Sequence, residues 1–320
     1  MKRTCFSFGL LLLVLTAAGL GADLRIGMIG LDTSHVIAFT KAINDASSPD
    51  HVPGGKVVAA FKGGSPDLKS SASRVDKYTA ELQEKYQVQL VERIADLCSR
   101  VDAILLESVD GRPHLEQARQ AFQCKKPVFI DKPLAASYED AARIFALGKE
   151  TGTPWFSSSS LRYTPSYQKA RAGEIIGKLH GAASSGPAHL EPTNPGFFWY
   201  GIHAVESLYT VMGPGCEKVS MSSTENYDVA VGVWKDGRVG TVRGLRAGKE
   251  AYSLLLFGEK GVEFVPAGDF SYVPLVRQIM EFFQTRKPPV PNEETLEIMA
   301  FIDAAERSRK QGGGPVALPR

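Results

Sequence analysis

Through the first half of the chain, short apolar runs alternate with stretches in which apolar positions recur every three or four residues. Leu24 to Ile29 is one such run, followed from about Ser34 by a stripe of Val36, Phe39, Ala42 and Ile43, and then by Lys56 to Phe61. These periods predict strand, helix and strand. The pattern repeats in Val101 to Leu106, a helix over Pro113 to Phe122, the run Pro127 to Ile130, and a helix opened by Ser137-Tyr138-Glu139-Asp140, which has the layout of a capping box. Joined by right-handed crossovers, such units form a Rossmann-type doubly wound parallel sheet that binds its ligand at the carboxyl edge. After Trp155-Phe156-Ser157 the period falls to two, in Val229 to Trp234, Arg238 to Arg243 and Tyr252 to Phe257, with a helix over His203 to Met212. That texture predicts an α+β domain with a mainly antiparallel sheet, followed by helices over Pro274 to Gln284 and Glu294 to Lys310. The resulting division is a Rossmann domain over 23–156, a second α+β domain over 157–310, and a flexible glycine-rich tail over 311–320.

The first 22 residues lie outside this pattern. Lys2 and Arg3 precede an apolar run from Leu10 to Leu15, and small residues follow to Ala22, which is the layout of a secretory signal peptide. The expectation is export by the general secretory route to a periplasmic or extracellular location, with no membrane segment after cleavage. Removing that segment leaves 37 − 2 = 35 basic residues against 35 acidic ones, with no basic tract, so a nucleic-acid partner is not expected. The 320 residues, 43% hydrophobic and 22% charged, are enough for two cores. Cys98 and Cys124 fall on apolar helical faces and read as buried thiols, and no disulfide scaffold or metal-type spacing is evident.

Candidate chemistry centres on Phe129-Ile130-Asp131-Lys132-Pro133, where a lysine closes a buried parallel strand at the edge at which such sheets bind ligands. Acid/base work is the natural use of a lysine placed there. The first turn carries Gly30, Asp32 and His35 where a dinucleotide fingerprint has three glycines. A carboxylate at Asp32 opposes phosphate unless a charged His35 compensates it. Alternatively, Asp32, Thr33 or Ser34 caps the helix and fills the anion site from within. His189, Glu191, His203 and Glu206 contain possible metal ligands but no recognised ligand spacing, so no metal is expected.

Taken in order, these parts resemble the Gfo/Idh/MocA family of oxidoreductases. The similarity is carried by Val101 to Leu106, by His114 opening a helix, by Lys126 to Leu134 with Asp131 in place of the usual Glu of a Glu-Lys-Pro signature, by Gly201-Ile202-His203-Ala204-Val205-Glu206, and by the closing helices. The resemblance implies hydride transfer between NAD(P) and a sugar or cyclitol, with Lys132 and His203 as catalytic groups. The cofactor would lie along Gly30, Asp32, Thr33, Ser34 and His35, near Lys62, Ser108 and Asp131; Arg162, Trp199 and Glu206 would meet the substrate. Lys62 and Ser65 after the second strand favour NADP over NAD, and a closed first turn would mean no dinucleotide at all. Trp199 stands where the family often has an aspartate, one helical turn before the histidine, so His203 would act alone or with Glu206. The resemblance also implies a homo-oligomer, dimer or tetramer. Two alternatives stay open: a carbohydrate-binding pseudo-enzyme without dinucleotide, and a lyase or hydrolase that reuses Lys132 and His203.

Overall fold

The computed structural model describes residues 22–268 and 271–319; the proposed signal peptide lies almost wholly outside them. The first domain is built on β1 (Leu24–Ile29), α1 (Ser34–Asn44), β2 (Gly55–Phe61), α2 (Lys69–Ala72), α3 (Val75–Tyr86), β3 (Gln89–Val91), β4 (Ala103–Leu106), α4 (His114–Gln123), β5 (Val128–Ile130), α5 (Tyr138–Thr151) and β6 (Trp155–Ser157). Its six strands run in the order β3-β2-β1-β4-β5-β6, every pair parallel. The order reverses between β1 and β4, so the crevice for a ligand opens between the turns that leave these two strands. Strands β4, β5 and β6 are buried at every position, as expected for a sheet covered on both faces.

The second domain adds α6 (Pro165–Arg171), β7 (Leu179–Pro187), α7 (Ile202–Met212), β8 (Cys216–Ser223), β9 (Tyr227–Trp234), β10 (Val239–Leu245), β11 (Ser253–Gly258) and β12 (Gly261–Pro266). These are followed by α8 (Val273–Thr285), α9 (Asn292–Lys310) and β13 (Val316–Ala317). Its sheet has the order β12-β11-β7-β10-β9-β8-β13, antiparallel except for β10 beside β7. Alternation along β9 puts Asp228, Ala230, Gly232 and Trp234 inward, and α7 lies across β7 and β10.

Three features differ from the sequence reading. Helix α8 returns to the first domain, where Leu275, Val276, Ile279, Met280, Phe282 and Phe283 share a core with Ile26, Phe39, Phe129 and Phe156. The apolar stripe of α8 was legible, but its partner was not. The tail is anchored: Gly312 and Gly313, at φ of 84° and 93°, let the chain reverse so that Val316 pairs with Val219 of β8. Cys98 and Cys124 form a disulfide, with Cα atoms 4.8 Å apart, because the segment before β4 and the end of α4 lie side by side. The reading of both as free thiols is therefore corrected.

Candidate active site

A cavity of about 950 Å³ opens at the carboxyl edge of the first sheet, against the second domain. Thr33, Ser34 and His35 at the start of α1 form one wall, Lys69, Ser70, Ser73 and Arg74 a second, and Lys132, His189, Trp199, Tyr200, His203, Tyr252 and Tyr272 line the rest.

The first turn is tied down from within. Gly30 adopts φ +81°, and a Cβ there would fall 2.1 Å from Ser108 Oγ, so glycine is required by the crossing of the turns after β1 and β4. Thr33 is the helix cap, its Oγ1 accepting the His35 N–H at 3.1 Å. Asp32 is fully buried and spans the crevice: Oδ1 accepts the Val109 N–H at 2.9 Å and Oδ2 accepts the Ser71 hydroxyl at 2.6 Å. Burial pushes this carboxyl up, against the pull of both hydrogen bonds. Arg112 ties the same loops together through Asp67 and Asp110, at 2.8 and 2.6 Å.

Beneath this turn His35 Nδ1 lies 2.9 Å from Asp131 Oδ2 and 3.8 Å from Glu107 Oε2. Its ring stacks on Phe39 at 5.2 Å and meets the edge of Tyr272 at 4.7 Å. Burial pushes the Glu107 carboxyl well up, and the neighbouring Asp131 charge adds to this. Burial also resists ionisation of Asp131, but His35 and Lys132 outweigh it and hold the carboxyl at about 2. Lys132 Nζ is 3.8 Å from Asp131 Oδ2, and the Lys132-Pro133 bond is cis.

His203 occupies the first turn of α7, its Nδ1 2.7 Å from Ser159 Oγ. Burial, and then the positive charge of Lys132, push the imidazole well below its ordinary value, so the ring is neutral at neutral pH. Tyr252 meets it edge-on at 5.7 Å.

Thus Thr33, Ser34, His35, Lys132, Trp199 and His203 share one cavity. Other expected site residues are placed elsewhere. Arg162 is buried, its Nε 2.8 Å from Glu206 Oε1 and its Nη1 2.8 Å from Glu294 Oε1. Glu206 also accepts the Ser158 hydroxyl and the Ser159 N–H. Arg162 and Glu206 therefore tie the segment after β6 to α7 and α9 and do not line the cavity. Lys62 turns outward to Asp76 at 2.7 Å, while Ser108 donates inward to Gln117 at 2.9 Å. Asp131 lies under the cavity floor. His189 pairs with Glu250 at 3.1 Å, away from any ligand set with His203. The sequence reading missed Lys69 and Ser70, on the short helix α2, and Arg74, the residue before α3. It also missed Glu107, although an acid directly after the apolar run Ala103 to Leu106 is a readable signal.

The wall fits a phosphate-bearing cofactor in its charge. The start of α1 faces the cavity with Lys69 and Arg74, while the Asp32 carboxylate is turned away and occupied. The turn is not an open glycine cradle, because Asp32 fills the position at which a second glycine admits pyrophosphate.

Residues 24–158 match the family model GFO_IDH_MocA, described as an oxidoreductase family with an NAD-binding Rossmann fold. No curated protein matches the chain. Among solved structures, a probable dehydrogenase from Thermotoga maritima is similar with a TM-score of 0.72 at 21% identity, over 92% of this chain and 99% of that one. Myo-inositol dehydrogenase from Lactobacillus casei, in complex with NAD(H) and myo-inositol, gives 0.72 at 16% identity, over 93% and 97%. The WlbA dehydrogenase from Bordetella pertussis, in complex with NADH and UDP-GlcNAcA, gives 0.73 at 16% identity, over 93% and 99%. At these identities the likeness concerns the fold.

Proposed function

Because its first domain belongs to the Gfo/Idh/MocA oxidoreductase family, we propose that the protein is an exported NAD(P)-dependent oxidoreductase acting on a hydroxyl-bearing carbon of a sugar or cyclitol. The observation that carries this reading is the meeting of Lys132, from the first domain, and His203, from the second, in one cavity walled by Trp199, Tyr200, Tyr252 and Tyr272. Aromatic faces suit the apolar faces of a sugar ring. The nicotinamide, when bound, supplies or accepts the hydride. Lys132 holds the hydroxyl oxygen as its proton leaves. With Nδ1–H donated to Ser159 Oγ, His203 keeps Nε2 free to take that proton, and the Lys132 charge helps keep the ring neutral and able to do so.

A cofactor phosphate would meet Ser34, Lys69 and Arg74, and two cations there support NADP over NAD. Export is supported by the Cys98–Cys124 disulfide, since such bonds persist mainly in oxidising compartments. No helix among the described residues is long and apolar enough to cross a membrane.

A second reading, a sugar-binding protein without dinucleotide, is favoured by one observation: the Asp32 bridge across the switch-point crevice. Calorimetry with NAD⁺ and NADP⁺, on the mature protein and an Asp32→Gly variant, separates the two. Micromolar binding by the native protein, with NADP⁺ tighter, supports the oxidoreductase. Binding by the variant alone, or by neither, supports the second reading.

A further inference from the structure

We propose that His35, Glu107 and Asp131 bind one divalent metal cation beneath the floor of the cavity. One ligand atom from each lies within 4.8 Å of the other two. Atoms sharing a metal at about 2.1 Å stand roughly 3 to 4 Å apart, so only a small contraction is needed. The three come from the start of α1, the residue after β4 and the residue after β5, all at the carboxyl edge of the sheet. Their backbones are fixed by the parallel ladder.

The second observation is what these side chains lack. Both oxygens of Glu107, both oxygens of Asp131 and Nδ1 of His35 are buried without a hydrogen-bond partner among the described residues. The His35 ring faces Asp131, with Nδ1 2.9 Å from Oδ2. Glu294 and Glu306 also bury an unbonded oxygen, but each has an arginine at 2.8 to 3.0 Å, and three further buried carboxylates are fully supplied. Asp32 has Ser71 and Val109, Asp110 has Arg112 and Asn194, and Glu206 has Arg162, Ser158 and Ser159. A buried carboxylate left bare is expensive. Lys132 Nζ, 3.8 Å from Asp131 Oδ2, offsets one carboxylate charge, and a metal ion shared with Glu107 and the imidazole would satisfy the atoms that remain. One imidazole and two carboxylates is a donor set for Zn²⁺, Mn²⁺, Fe²⁺ or Co²⁺, and three protein ligands leave a position open.

A proton shared by Glu107 and Asp131 is the competing occupant, and Glu107→Gln distinguishes them because an amide has the shape of a protonated carboxyl. The mature native protein and the variant would be stripped with chelator and dialysed against Zn²⁺, Mn²⁺ or Co²⁺ separately. After gel filtration, metal would be measured by mass spectrometry and thermal stability with and without chelator. The expected result is about one equivalent retained by the native protein, with a melting temperature that falls on chelation, and almost none retained by the variant, which ignores the chelator. The inference is overturned if the native protein keeps no metal and the variant is at least as stable, since a proton then occupies the site. It is equally overturned if both keep the same metal, which places the ion elsewhere.

Discussion

The charge of Lys132 acts on His203 before any substrate arrives. Replacing Lys132 by Met should abolish turnover of a sugar or cyclitol substrate, a loss of at least about a thousandfold in kcat, while leaving the fold intact by circular dichroism. His203 must be neutral to accept a proton, and its folded value lies below the ordinary 6.5. Activity should therefore hold as pH falls through 6.5 and decline only below it, and Lys132→Met would raise that acidic limb in any residual rate. A pH–rate profile checks both. Arg162 answers to stability instead. Arg162→Met leaves Glu206 and Glu294 buried without their cation, and should cost about 3 to 5 kcal/mol in urea unfolding. Lys132 was legible because its strand and turn surround it in the chain. The partner of Asp32 is Ser71, 39 residues later, which no local pattern discloses.

At the scale of elements, the parallel sheet was readable from its buried runs, and β9 and β10 from their alternation. What failed were pairings between distant segments. Cys98 and Cys124 each read as one apolar position on its own helix, and only the packing of α4 beside the preceding segment brings them together. The bond closes a separation of 26 residues, which by loop entropy contributes about 3.5 kcal/mol. A Cys98→Ala, Cys124→Ala double variant should lose that amount in urea unfolding, and the native protein should lose a similar amount once reduced. An unchanged midpoint would show that the bond does not form in solution.

At the scale of the molecule, one exposed surface is apolar. Phe257 of β11 faces Val262 on one side and Gly181 on the other, and Gly181 faces Val239. Two residues along, Phe264 faces Leu255. Val239, Phe257, Val262 and Phe264 are all exposed, so the outer face of the second sheet carries an apolar row that crosses four strands. Such a surface is suited to self-association. Light scattering should find a dimer or tetramer, and a Val262→Lys, Phe264→Lys variant should run as a monomer with its first domain unaltered.

The return of α8 also bears on how the chain comes into being. A polypeptide emerges from its amino end, yet the core beneath Phe39, Phe129 and Phe156 waits for Leu275 to Phe283. The first domain cannot close when its own sheet is complete. It must stay unfinished while the whole second sheet is made, and a fragment cut at the family boundary near residue 158 would expose the surface that α8 covers. Assembly is thus deferred until α8 has emerged, and that delay accords with the proposed export in an unfolded state.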